Sequence, residues 1–159
     1  MLTLLPHPNF TCSAMALRDE DLLLARRHAN IIQATLQDEA GHVRMPIHIP
    51  VPMGWSHHPA VRMWDGYVVA LMLYRDCMIR EAHRRGHVVE IPLMLCTNPD
   101  EQLPPFCASI EMPPWLGDER VHDSHQAYLA TSEESMIHWP VSGRGEYGLA
   151  ISGGTDVVR

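Results

Sequence analysis

The sequence predicts a mainly α, compact fold, one domain over residues 1–159, with long proline-rich connections and at most short strands. Three observations carry this. Apolar residues recur at helical spacing over two long stretches, 19–37 and 59–85. The intervening stretches are dense in breakers, with Gly41, Pro46, Pro50, Pro52 and Gly54 in one and Asn98-Pro99-Asp100 in another. A chain of 159 residues can also bury ~70% of its unfolded surface in a single core, so neither disulfide nor metal is needed for folding.

The elements follow in order. Residues 1–10 read as irregular, because Pro6 and Pro8 block a helix, and Thr11 or Ser13 caps a short helical turn. Over 19–37, Asp19, Glu20 and Asp21 place negative charge in a first turn, where it suits the macrodipole. Leu22, Leu23, Ala25, Ala29, Ile32 and Leu36 supply the buried face. Residues 38–55 form a loop, in which Val43, Met45, Ile47 and Ile49 alternate as a brief strand would. A long helix spans 59–85. Ser56 or His57 caps it, Pro59 occupies its first turn and Gly86 ends it. After a short apolar segment at 88–93 and proline-rich turns over 97–117, a polar helix covers 118–131. Trp139-Pro140, a glycine-rich turn and a strand from Tyr147 to Ile151 complete the chain.

The formal net charge is −7 with histidines neutral, which weakens any hold on a polyanion. Local basic patches remain: Arg26 and Arg27 in the first long helix, and Arg75, Arg80, Arg84 and Arg85 toward the end of the second. The four cysteines are widely spaced, with no CxxC pair. That pattern fits reduced thiols in a cytoplasmic protein. No apolar run reaches membrane-spanning length, and the first residues lack the basic start of a secretory signal. No cofactor or metal is expected.

Two dense constellations stand out. Ser56 through Tyr67 opens the second long helix with His58, Arg62 and Asp65 along one stripe, which can hold an anion or move a proton. A solvated face with an Arg62–Asp65 pair produces the same pattern. Pro113 through His125 is the other. There Asp118, His122 and His125 share a helical face, and Glu119 lies one turn from His122. Carboxylate–imidazole pairs of this kind do acid–base work. A weaker reading is a metal-dependent hydrolase built on His57, His58, His122 and His125. Trp64 and Trp115 can stack on a base or anchor a core.

Four blocks carry a resemblance: Leu5-Pro6-His7-Pro8-Asn9-Phe10, His58 through Tyr67, Pro114 through His125, and Trp139-Pro140. In this order the chain resembles the pyrimidine-dimer DNA glycosylases and is similar to the small phage endonuclease V enzymes. The resemblance implies a compact helical fold acting on damaged double-stranded DNA. It implies that the α-amine of the chain start attacks the sugar C1′ and displaces the base, and that the resulting Schiff base permits strand cleavage. It also implies an arginine and then a glutamate on the first long helix. Here those positions carry Arg27 and His28, with no carboxylate. The expected catalytic groups are therefore Met1, His28, His58, Glu119 and His122. Arg26, Arg27, Arg62 and His125 would contact nucleic acid, and a flipped base would stack near Trp64 or Trp115. The alternative is an inactive relative retained as a binding or assembly protein, for example in a phage particle, with partner chains in place of DNA.

Overall fold

The computed structural model describes residues 3–39, 54–89, 93, 95, 109–131, 138–141 and 146–149. Its helices are α1 (Phe10–Ala16), α2 (Asp19–Glu39), α3 (Pro59–Arg62), α4 (Val68–Arg84) and α5 (Glu119–Thr131), with a single tight turn at Trp55–His57 before α3. Two short strands, β1 (His138–Val141) and β2 (Glu146–Leu149), pair antiparallel with His138 opposite Leu149. The fold is mainly α, as the sequence predicts. The strand expected at 43–49 lies outside the described residues.

Helix α4 is the centre of the fold: α1 and α2 both pack on it, and β1 lies against α3 and α5. Its interior is aromatic. Phe10 meets Tyr74 at 5.1 Å between ring centroids, Trp64 stacks near Tyr74 at 6.4 Å, and Trp115 meets Trp64 edge-on at 5.1 Å. Each such pair adds about 1 kcal/mol beyond the area it buries.

Three boundaries differ from the sequence reading. The expected 59–85 helix is two helices. Gly66 adopts φ 82°, a left-handed conformation that breaks the ladder, and α4 restarts at Val68 behind Tyr67. His58, not Ser56 or His57, caps α3: its Nδ1 accepts the Ala60 N–H at 3.1 Å, with Pro59 in the first turn. Asn9, not Thr11 or Ser13, caps α1, its side-chain oxygen accepting the Cys12 N–H at 3.0 Å. Ser13 instead closes the preceding bend, exchanging hydrogen bonds with the N–H and C=O of His7.

The arginines expected to form a basic patch at the end of the second long helix are largely spent on the fold. Arg85 donates to the Leu17 and Met15 carbonyls at the end of α1, to Asp19 at 2.7 Å and to Glu81 at 2.6 Å. Arg84 grips the same Glu81 with two hydrogen bonds of 2.7 Å. One guanidinium thus ties the corner between α1 and α2 to the last turn of α4. The thiol of Cys77 is buried 3.7 Å from the Thr11 hydroxyl and Cys12 is exposed; neither is in a disulfide. Among the described residues no helix is long and apolar enough to cross a membrane.

The Arg84 hydrogen bond, followed by that of Arg85, holds the Glu81 carboxyl below its ordinary pKa, and Arg85 foremost does the same for Asp19. A depressed carboxylate stabilises the fold fully above its unfolded pKa, about 4.3 for Glu, and ceases to do so as pH falls through the lower folded value. Melting temperature should therefore fall on acidification below about pH 4. Glu81→Gln should flatten that limb while costing about 2 kcal/mol at neutral pH through lost charge-assisted bonds. A pH series of thermal melts on both proteins checks this.

Candidate active site

The candidate site residues gather in two groups. The first surrounds the opening segment. Residues 3–6 are buried, and side chains from distant parts of the chain hold their polar groups. Trp64 Nε1 donates to the Thr3 hydroxyl at 3.0 Å, and the Tyr74 hydroxyl donates to the Leu4 carbonyl. Burial pushes the Tyr74 phenol far up, which keeps it a donor. Gln126 donates to the Pro6 carbonyl at 2.6 Å.

Leu5 is held by two imidazoles from α5. Its N–H donates to His125 Nδ1 at 2.8 Å, and its carbonyl lies 2.7 Å from His122 Nδ1. The Gly117 N–H donates to His122 Nε2 at 3.0 Å. Because Nε2 accepts, the His122 proton must sit on Nδ1, which donates to Leu5. His125 accepts at Nδ1 and so carries its proton on Nε2. The two rings are neutral and of opposite tautomer, and their three-residue spacing places them side by side. Gly117, at φ 103°, turns its N–H into this arrangement just before α5.

The second group is built on Trp55, which the sequence reading did not single out. Its half-buried indole lies 5.7 Å from the His28 ring on α2 and stacks at 6.0 Å with His58 at the cap of α3. Sequence position alone gives no signal for this, because Trp55 sits at the end of a breaker-rich loop. His28 is half-buried and Arg27 beside it is exposed. Arg26 is half-buried on another face of α2. Arg62, one turn beyond His58, pairs with Asp65 at 3.4 Å, both partly exposed. A long, wet ion pair of this kind contributes little to stability.

Several expectations require correction. Trp64 and Trp115 are 0% and 2% exposed. Their indole N–H groups are used within the protein, on Thr3 and on the Met63 carbonyl at 2.9 Å, so they anchor the core and offer no face to a base. His122 is buried with both ring nitrogens on backbone, and Glu119, expected to work with it, is exposed. His125 is wholly buried and holds Leu5, where a nucleic-acid contact needs an accessible ring. Asp118 turns to Arg120, 2.8 Å away. Among the described residues no group of three His, Cys, Asp or Glu side chains is arranged to hold a metal ion, and the set His57, His58, His122 and His125 is divided between the two groups. Met1 lies outside the described residues.

The family described as pyrimidine dimer DNA glycosylase matches residues 1–94, more than half of the chain. That span holds the opening segment, α1 to α4 and the Trp55 group; the α5 histidines lie beyond it. No curated protein and no solved structure matches the chain.

Replacing His125 by Phe leaves the buried Leu5 N–H without its acceptor, at a cost of about 1–3 kcal/mol. The Leu5 amide should be protected from hydrogen exchange in the native protein and exchange far faster in His125→Phe. Equal protection in both would show that the clamp does not hold the segment.

Proposed function

Because the chain belongs to the pyrimidine dimer DNA glycosylase family, we propose that it cleaves an N-glycosidic bond in damaged or modified double-stranded DNA, with the amine of Met1 as nucleophile. The observation that carries this reading is the grip on residues 3–6 by Trp64, Tyr74, His122, His125 and Gln126. Side chains that fix the opening segment atom by atom support a reaction that needs that end at a fixed place.

An α-amine, with a pKa near 8, keeps a useful neutral fraction at physiological pH, which a lysine does not. Its lone pair forms a bond to C1′ while the glycosidic electron pair leaves with the base, which takes up a proton. Loss of the nitrogen proton and opening of the sugar ring give a Schiff base. Removal of a C2′ proton then expels the 3′ phosphate by β-elimination. In this reading His28, beside Trp55, accepts protons in its neutral form. As an imidazolium it would repel the cationic sugar, so the rate should rise as this ring loses its proton. His58, on the same indole, and the exposed Glu119 are the other groups proposed to handle protons. Arg27 and Arg62 hold phosphates, while His122 and His125 position the opening segment.

A binding or assembly role without catalysis is favoured by one observation: His28 stands where the resemblance calls for a glutamate, in a chain of net charge −7. Borohydride trapping on duplex DNA with an abasic site separates the two. The glycosylase reading expects a covalent adduct that mass spectrometry maps to Met1, formed about 100-fold more slowly by His28→Gln. Duplex binding without any adduct would overturn the amine mechanism and support the second reading. Arg27→Ala should weaken duplex binding at low salt and lower the slope of log K against log salt by about 1.

A further inference from the structure

The core does not consume Trp55 as it consumes Trp64 and Trp115. Those two indoles are closed off from solvent and donate their N–H groups to Thr3 and to the Met63 carbonyl. Trp55 packs part of its surface on the core and leaves part of it exposed, and no described residue accepts its N–H. Among the described residues its ring neighbours are imidazoles, His28 from α2 at 5.7 Å and His58 at 6.0 Å, inclined to it by 29°. The backbone holds the indole in place. Gly54, at φ 84°, leads into the tight turn, the Trp55 carbonyl accepts the His58 N–H at 2.9 Å, and the His58 ring accepts the Ala60 N–H. Both elements that supply the imidazoles also supply an arginine. Arg27, exposed, precedes His28 on α2, and Arg62, paired with Asp65 at 3.4 Å, follows His58 by one turn of α3.

We propose that Trp55 is the platform on which a nucleobase turned out of the duplex stacks. The class of ligand rests on the glycosylase reading; the choice of platform rests on this ring and its surroundings. A sugar C1′ inside a paired duplex is closed to attack, so the nucleotide must leave the stack, and an aromatic face offsets part of that cost. An indole already fixed by its backbone loses little freedom when the base arrives. The arginines on α2 and α3 supply charge that draws the nucleic-acid backbone toward the ring. A base on this ring lies beside His28 and His58, the groups proposed to move protons. Stacking needs a π face and no particular hydrogen-bond pattern, so the platform discriminates a base from no base, and not one base from another.

The test is binding at fixed low salt to a paired duplex, to the same duplex with one bulged deoxyadenosine, and to the same duplex with a bulged tetrahydrofuran residue, which lacks a base. The last two share their sugar–phosphate path, so their affinity ratio reads the base alone. The native protein should bind the bulged deoxyadenosine about 10-fold more tightly than the bulged tetrahydrofuran. Trp55→Leu should bring that ratio to about 1 and Trp55→Phe should keep most of it. Arg27→Ala should weaken all three probes without changing the ratio. Irradiating the native protein with a duplex carrying a bulged 5-iododeoxyuridine should crosslink it at Trp55, a reading that needs no variant. No binding to any probe, a native ratio of about 1, a ratio that survives Trp55→Leu, or a crosslink at another residue would overturn the proposal. Borohydride trapping at Met1 reads the other question. An adduct at Met1 with a ratio unchanged by Trp55→Leu overturns the platform and leaves the glycosylase reading standing. A ratio lost in Trp55→Leu without any adduct supports the platform and removes the amine chemistry.

Discussion

The fold depends on how a strandless segment satisfies its peptide groups inside a helical protein. Residues 3–6 pass through the interior, where an unpaired N–H or C=O costs about as much as a lost hydrogen bond. No described strand pairs with them. Among the described residues their partners are side chains: an indole, a phenol, two imidazoles and a primary amide, from the turn after α3, from α4 and from α5. Pro6 eases the problem by bringing no N–H. The aromatic interior follows from the same need. Trp64 and Tyr74 reach Thr3 and Leu4 through their polar tips while their rings fill the space against Phe10 and Trp115.

Much of this was legible in the sequence, for reasons visible at particular residues. Helix α2 announces itself through Asp19, Glu20 and Asp21 ahead of a regular apolar face, and the helix expected over 118–131 is α5, one residue shorter. The division between α3 and α4 was hidden, because Val61, Trp64 and Leu71 keep helical spacing across the break and only Gly66 betrays it. Local hydrogen bonds decide caps, so choosing Asn9 over Thr11 needed the geometry. The site was less legible. His122 and His125 share a face as the spacing requires, but spacing cannot say that the face turns inward onto a segment about 120 positions away. Trp55 became visible only when α2 and α3 were brought together.

Charge tells a similar story. An acidic chain with twelve basic residues has few to spare, and the fold takes several. Arg84 and Arg85 are bound to Glu81, Arg85 also to Asp19 and the carbonyls ending α1, and Arg18 to Asp21 at 2.6 Å. The tandem pair Arg26-Arg27 divides its labour by helical geometry. Successive residues point about 100° apart, so one guanidinium reaches the contact with α4 while the other meets solvent.

The grip of α5 on Leu5 has a consequence for how the protein comes into being. Residues 5 and 6 are secured only once His122, His125 and Gln126, about 120 positions later in the chain, have been synthesised and docked. Contacts of such long sequence separation form late in folding. A nascent chain ending before α5 would lack these partners for Leu5 and Pro6, while holding Trp64 and Tyr74 for Thr3 and Leu4. Any function that needs residues 5 and 6 in place therefore waits for the synthesis of α5.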